Sequence, residues 1–136
     1  MTRYVDSSVV LRILFGEPNP LDSWADEQPI SSELIRVECL RVIDRARLSR
    51  GLQDAVAARL RADALELVAR IPLVALNGQL LARAADPFPT LLRTLDAIHL
   101  ATALALRDEF PDLSLATHDD ELALAARAVG FTVLGA

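Results

Sequence analysis

Short apolar runs alternate along the chain with longer stretches whose apolar positions recur at helical spacing, and Gly, Pro and Asp punctuate the changes. Arg3-Tyr4-Val5-Asp6 predicts a short strand, followed by a helix over Val9–Phe15 that Ser7 or Ser8 can cap. Gly16-Glu17-Pro18-Asn19-Pro20 ends that helix, and Leu21–Glu27 predicts a second short one carrying Trp24. Pro29-Ile30-Ser31 predicts a brief strand. From Ser32 to Leu48, Leu34, Val37, Leu40 and Ile43 recur at helical spacing and predict a long helix. Gly51 breaks the pattern, and Leu52–Ala69 predicts a second long helix, antiparallel to the first. Ile71–Leu76 is the clearest strand. Asn77–Ala85 predicts a short helix, Asp86-Pro87-Phe88-Pro89 a rigid turn, and Thr94–Arg107 a helix so poor in charge that it must be mostly buried. Leu113–Thr117, Asp119–Val129 and Phe131–Leu134 complete a strand, helix, strand sequence. Strands alternating with helices predict an α/β fold with a short, mostly parallel sheet. No linker or shift of composition divides residues 1–136, so a single domain is expected.

Composition narrows the chemistry. Hydrophobic residues make up 52% of the 136 and charged residues 24%, enough for a packed core and too apolar for a disordered chain. Aromatics are 4%, which argues against a stacking platform for single-stranded nucleic acid. All 14 basic residues are Arg, so no lysine is present for Schiff-base or P-loop chemistry. The net charge is −5, so nucleic acid cannot be held by surface charge alone; a local Arg patch or bound cations would be needed. Cys39 is the only cysteine, which excludes a disulfide framework and a cysteine zinc site. The longest uncharged run, Ile71–Ala82, is too short to span a bilayer, and Met1–Asp6 shows no apolar signal core. A cytoplasmic protein without membrane attachment is expected.

In open α/β sheets, ligands bind outside the carboxyl ends of the strands. Asp6 ends the first strand, Asp119 and Asp120 follow Leu113–Thr117, Asp96 lies in the first turn of the buried helix, and Glu38 lies between Val37 and Cys39. Each has a plainer role. Asp6 can cap a helix, and Asp96 and Asp119 suit a helix dipole. Glu38 can pair with Arg41 or Arg45. Glu33 stands about 140° round the helix from Glu38, so both cannot readily face one ion. Asp120 is expected to face solvent, and Glu33 to be a first-turn residue. Together, however, four carboxylates from four parts of the chain fit a hard divalent cation such as Mg²⁺, which takes a few carboxylates and keeps waters and substrate oxygens. One or two such ions can activate water against a phosphodiester and stabilise its leaving oxygen. His99, three residues after Asp96, is expected to be a core histidine with a satisfied hydrogen bond, though a ligand or base role is open. His118 is either near the chemistry or an exposed loop residue.

Four segments carry a resemblance. Asp6-Ser7-Ser8-Val9, Ser32-Glu33-Leu34-Ile35-Arg36-Val37-Glu38, Arg93–Ala103 (RTLDAIHLATA), and Thr117-His118-Asp119 with Leu122 resemble, in order and over nearly the whole chain, the motifs of PIN-domain ribonucleases. More narrowly they resemble the VapC toxins of type II toxin–antitoxin systems. The resemblance implies a Rossmann-like three-layer α/β/α fold and a Mg²⁺- or Mn²⁺-dependent endoribonuclease that cuts structured RNA, often transfer RNA. It places Asp6, Glu38, Asp96 and Asp119 as catalytic metal ligands, Thr117 as a polar support, and Arg93 near a phosphate or in a structural ion pair. Arg12, Arg36 and Arg41 are further candidates for RNA contact. The resemblance also implies a VapB-type antitoxin that lays a segment in a groove, and a homodimer. An apolar groove lined by residues such as Leu11, Leu14, Phe15 and Trp24 is the expected antitoxin site. The rivals are a non-toxin PIN-type nuclease and a non-catalytic Mg²⁺-binding module. A dehalogenase-type phosphatase would need a second aspartate where Ser8 stands, and a receiver domain would need a lysine.

Overall fold

A computed structural model describes residues 1–136, the side chain of Ala25 excepted. Among the described residues there are six α-helices and five strands: β1 (Thr2–Val5), α1 (Ser7–Leu14), β2 (Gln28–Ser32), α2 (Leu34–Ser49), α3 (Asp54–Val68), β3 (Leu73–Val74), α4 (Gly78–Ala85), α5 (Thr94–Glu109), β4 (Ser114–Ala116), α6 (Asp120–Ala128) and β5 (Val133–Leu134). The second short helix predicted over Leu21–Glu27 is a single 3₁₀ turn, Asp22–Ala25. The strands form one sheet in the order β3-β2-β1-β4-β5, and all of its pairings are parallel.

β1 is central, and its residues alternate between two cores, as a strand buried on both faces must. Tyr4 joins Leu115 of β4 under α5 and α6, with Leu100, Leu106, Leu122 and Phe131. Val5 joins Ala116 on the opposite face with Val9 and Val10 of α1, Ile35 and Cys39 of α2, and Val68 of α3. α4 packs on α5. The sheet is therefore sandwiched between α1–α3 and α4–α6, the expected three-layer α/β/α arrangement. The 3₁₀ turn is tied to β1 by Arg3, whose guanidinium meets Glu27 at 3.0 Å and donates to the Ser23 carbonyl at 3.1 Å.

Two sequence expectations need correction. The inward face of α2 is Ile35, Cys39, Ile43 and Ala46, whereas Val37 is 56% exposed. The stripe Leu34, Val37, Leu40, Ile43 has the right period but is rotated from the true one, and the packing of α2 on α1 and α3 selects the phase. The strand expected over Ile71–Leu76 pairs only at Leu73–Val74. Beyond them the Leu76 N–H donates to the Glu33 carboxylate at 2.9 Å, which ends the edge ladder. Glu33, expected as a first-turn dipole residue, thus acts as a side-chain plug at the sheet edge.

The two-core arrangement sets a mutational contrast. Leu115 is fully buried in β4, and Leu48 near the end of α2 is 72% exposed. In urea unfolding, Leu115→Ala should cost about 2–5 kcal/mol, and Leu48→Ala should stay within about 0.5 kcal/mol of wild type.

Candidate active site

The strand order reverses direction between β1 and β4, since β2 and β3 lie to one side of β1 and β4 and β5 to the other. At such a switch point the loops after the two strands diverge and leave a crevice at the carboxyl edge. Asp6 and Thr117 are the first residues past β1 and β4, and the Asp6 N–H still donates to the Ala116 carbonyl at 3.3 Å. Asp6 is 3% exposed and Thr117 fully buried.

A buried carboxylate must have its lone pairs occupied. Thr117 Oγ1 donates to Asp6 Oδ2 at 2.8 Å. The Ser8 hydroxyl and N–H donate to Oδ1 at 2.6 and 3.2 Å. Asp6, rather than Ser7 or Ser8, is therefore the N-cap of α1, and the capping carboxylate also lines the cleft described below. Ser8 Oγ accepts in turn from the His118 N–H at 2.8 Å, and Thr117 Oγ1 from the Asp119 N–H at 3.0 Å. Asp119 caps α6, its Oδ1 accepting from the N–H groups of Glu121 and Leu122 at 2.9 and 3.2 Å.

Glu38 and Asp96 come from opposite layers. Asp96 is in the first turn of α5, and His99 lies one turn later on the same face. His99 is 1% exposed, and its Nε2–H donates to Glu38 Oε1. Its Nδ1 shares a 2.6 Å hydrogen bond with the Tyr4 hydroxyl. Glu38 therefore pairs with His99 and not with Arg41 or Arg45; Arg41, on the exposed face of α2, meets Asp44 at 3.2 Å instead. Sequence reasoning expected His99 to be satisfied in the core but missed its partner. The spacing Asp96-x-x-His99 was the available signal.

Asp6, Glu38, Asp96 and Asp119 line one cleft of about 670 Å³, with Ser7, Ser8, Arg93, Thr94 and Leu95. Asp120 is exposed at the rim, as expected. Arg93 is exposed at the N-cap of α5 and enters no salt bridge among the described residues, so the structural ion pair considered for it is not found. His118 does not point its ring nitrogens at the acids: Nε2 accepts from the Leu21 N–H at 3.3 Å, and Nδ1–H donates to the Gly135 carbonyl at 2.8 Å. It fastens loop and C-terminus to the strand end.

The acids feel one another. Asp96 is pushed up to about 6 by burial and by the charges of Asp119, Asp6 and Glu38, with His99 opposing. Asp6 is also raised, by burial first and by Glu38, although His99, Ser8 and Thr117 hold it down. Burial alone would lower His99, but the Glu38 hydrogen bond and the charges of Glu38, Asp6 and Asp96 leave it raised, which favours an imidazolium. Among the described residues no three Asp, Glu, His or Cys side chains close on a point as a ready-made metal cage. Ser8 and Thr117 engage both oxygens of Asp6, α6 one oxygen of Asp119, and His99 one of Glu38. The donor set still fits a hard cation that takes one or two carboxylates directly and fills its remaining positions with water and substrate oxygen.

The PIN domain family model matches residues 3–128. The chain belongs to the PIN-domain family, among its VapC members. It is 34% identical to Ribonuclease VapC35 of Mycobacterium tuberculosis strain H37Rv, over 96% of this chain and 94% of the relative. It is 33% identical to Ribonuclease VapC46 of the same strain, over 96% and 95%. Ribonuclease VapC47 of strain CDC 1551 is 33% identical over 94% and 92%. The four segments read from the sequence as PIN motifs supply four of the cleft's six acids, Asp6, Glu38, Asp96 and Asp119; Asp120 and Glu121 are the other two.

A second cleft, of about 380 Å³, runs between α1 and α2, lined by Leu11, Phe15, Val42 and Ala46 with Arg12, Arg45 and Arg50. Leu11 and Phe15 are where the sequence expected a groove. Trp24 is not: it is 5% exposed and belongs to the core beneath α1, and Leu14 packs against that core. Ser8 lines both clefts, so the apolar groove opens onto the acid pocket.

Burial and like-charge crowding together have a measurable cost. The Asp96 carboxyl is raised in the folded state to about 6, so its ionisation opposes folding. Stability is lost as pH rises from the unfolded-state value, about 4, through 6, and stays lost above. In EDTA at pH 7.5, Asp96→Asn should melt a few degrees above wild type, and the gain should vanish near pH 4.

Proposed function

We propose that this chain is the toxin of a type II toxin–antitoxin pair, an endoribonuclease that uses Mg²⁺ or Mn²⁺ held by Asp6, Glu38, Asp96 and Asp119 to cut structured RNA such as transfer RNA. The observation that carries the reading is the convergence of four carboxylates from four elements on one open cleft, where burial first and neighbouring negative charge second raise Asp6 and Asp96, in a PIN-family chain whose relatives are named ribonucleases. A bound divalent ion supplies the missing positive charge, a water acidified to act as nucleophile near neutral pH, and stabilisation of the leaving oxygen. The chain's own groups do the rest. Thr117 and Ser8 hold the Asp6 carboxylate in one orientation. Asp96 and Asp119, at the starts of α5 and α6, present their carboxylates to the cleft. Arg93, free of an acidic partner at the rim, takes an RNA phosphate and offsets the repulsion between an acidic protein and a polyanion.

RNA cleavage should stop in EDTA, return with added Mg²⁺ or Mn²⁺, and fall by orders of magnitude in Asp96→Asn while the fold persists. Arg93→Ala should mainly raise KM and flatten the salt dependence. A folded wild type that binds Mn²⁺ but never cuts RNA would instead be a non-catalytic metal-binding module.

The same proposal places a VapB-type antitoxin in the α1–α2 groove, whose arginines suit an acidic, amphipathic segment and whose inner end reaches the acid pocket over Ser8. It also includes a homodimer, for which the exposed Leu81 of α4 is one candidate contact. No helix among the described residues is long and apolar enough to cross a membrane, and the reading places the protein in the cytoplasm. Phe15→Ser should weaken antitoxin binding in a pull-down with the neighbouring gene product, while RNA cleavage by the free toxin stays at the wild-type rate.

A further inference from the structure

Glu38 is the acid least constrained by its own element. It stands mid-helix, carries three side-chain torsions, and takes no capping hydrogen bond of the kind that orients Asp6 and Asp119. Its one side-chain partner lies on the other layer of the fold, 61 residues away: His99 Nε2, whose N–H donates to Oε1. A carboxylate only accepts, so Nε2 carries the proton, and Oε2 is left as the oxygen not engaged by His99.

The ring is itself clamped. It is 1% exposed, and Nδ1 is bonded at 2.6 Å to the hydroxyl of Tyr4, a fully buried residue of the central strand. The Tyr4 and His99 rings meet edge to face at 5.7 Å between centroids. The chain Tyr4, His99, Glu38 therefore runs from the rigid middle of the sheet, through the face of α5 that carries Asp96, to a side chain of α2. It is the direct polar link in this site between the two helix layers.

We propose that His99, braced by Tyr4, is a positioning residue that fixes the Glu38 carboxylate for metal binding. This rests on the reading of the cleft as a divalent-metal site and adds to it a role for two residues outside the acids. A purely structural His99 would alter stability and leave the metal affinity of the folded protein unchanged. A positioning His99 makes that affinity depend on the donor to Oε1, and partners that orient a metal ligand typically contribute about 10- to 100-fold in affinity.

The test is Mn²⁺ titration followed by electron paramagnetic resonance, on variants whose fold is checked by circular dichroism. His99→Leu removes the donor, His99→Gln keeps an N–H at the Nε2 position, and Tyr4→Phe removes only the brace. His99→Leu should weaken Mn²⁺ binding about 10-fold or more. His99→Gln should recover most of that loss, and Tyr4→Phe should weaken binding by a smaller factor. If His99→Leu does not fold, the comparison of Tyr4→Phe and His99→Gln with wild type decides the matter. Wild-type affinity in every folded variant would overturn the positioning role and leave the metal reading intact. Absence of Mn²⁺ binding by the wild type itself would overturn both.

Discussion

The structure is organised around one constraint: carboxylates that repel one another are held together at the edge of a parallel sheet. The topology places them there. Because β1 and β4 are neighbours whose chains leave in opposite directions, Asp6 and Asp119 follow adjacent strand ends. The hydrogen bonds of Thr117 then tie the two acids into one frame, accepting from the backbone of Asp119 while donating to Asp6. α5 and α2 bring Asp96 and Glu38 from the two sides. His99, itself buried, answers the negative charge from beneath the site, and Arg93 from its rim. A protein optimised for stability alone would not retain this arrangement, and it is at such sites that function and stability commonly oppose each other.

The same crowding reaches beyond the acids. The Cys39 thiol, adjacent to Glu38 in sequence, is pushed up to about 12 by burial and by the charges of Glu38 and Asp6. A thiol so placed is a small apolar core residue and a poor nucleophile, which removes cysteine chemistry from consideration. Tyr4 is held as a neutral phenol, chiefly by burial, and so remains a hydrogen-bonding partner for His99. Burial, with the field of the acids behind it, thus sets the protonation states of groups outside the four acids.

Much of this was legible in the sequence because the relevant signals are local. Alternating strands and helices announced the layered fold, and the rule that ligands sit at carboxyl ends of strands pointed to Asp6 and Asp119. Asp96 followed from its place in a helix first turn, and the motif resemblance bound the four acids together. What escaped were relations set by packing between distant segments. Two apolar stripes of α2 satisfy the helical period equally well, and only its neighbours decide that Ile35 and Cys39 turn inward while Val37 faces out. The Glu38 to His99 pair joins residues on opposite layers; the spacing Asp96-x-x-His99 puts the imidazole on the site face but says nothing of Glu38, so the i+3 rule pointed to Arg41 instead. Trp24 was read as a groove residue because a short helix offers no pattern long enough to tell a surface from a core.

The central claim is that these acids act through a divalent cation and a water nucleophile, and the chemistry of the cut ends tests it most directly. Attack by water leaves a 5′-phosphate and a 3′-hydroxyl, whereas attack by the RNA's own 2′-hydroxyl leaves a 2′,3′-cyclic phosphate. End-group analysis of RNA cut by the purified protein should show 5′-phosphate and 3′-hydroxyl ends, formed only with Mg²⁺ or Mn²⁺ present. Cyclic phosphate ends produced in EDTA would contradict the account.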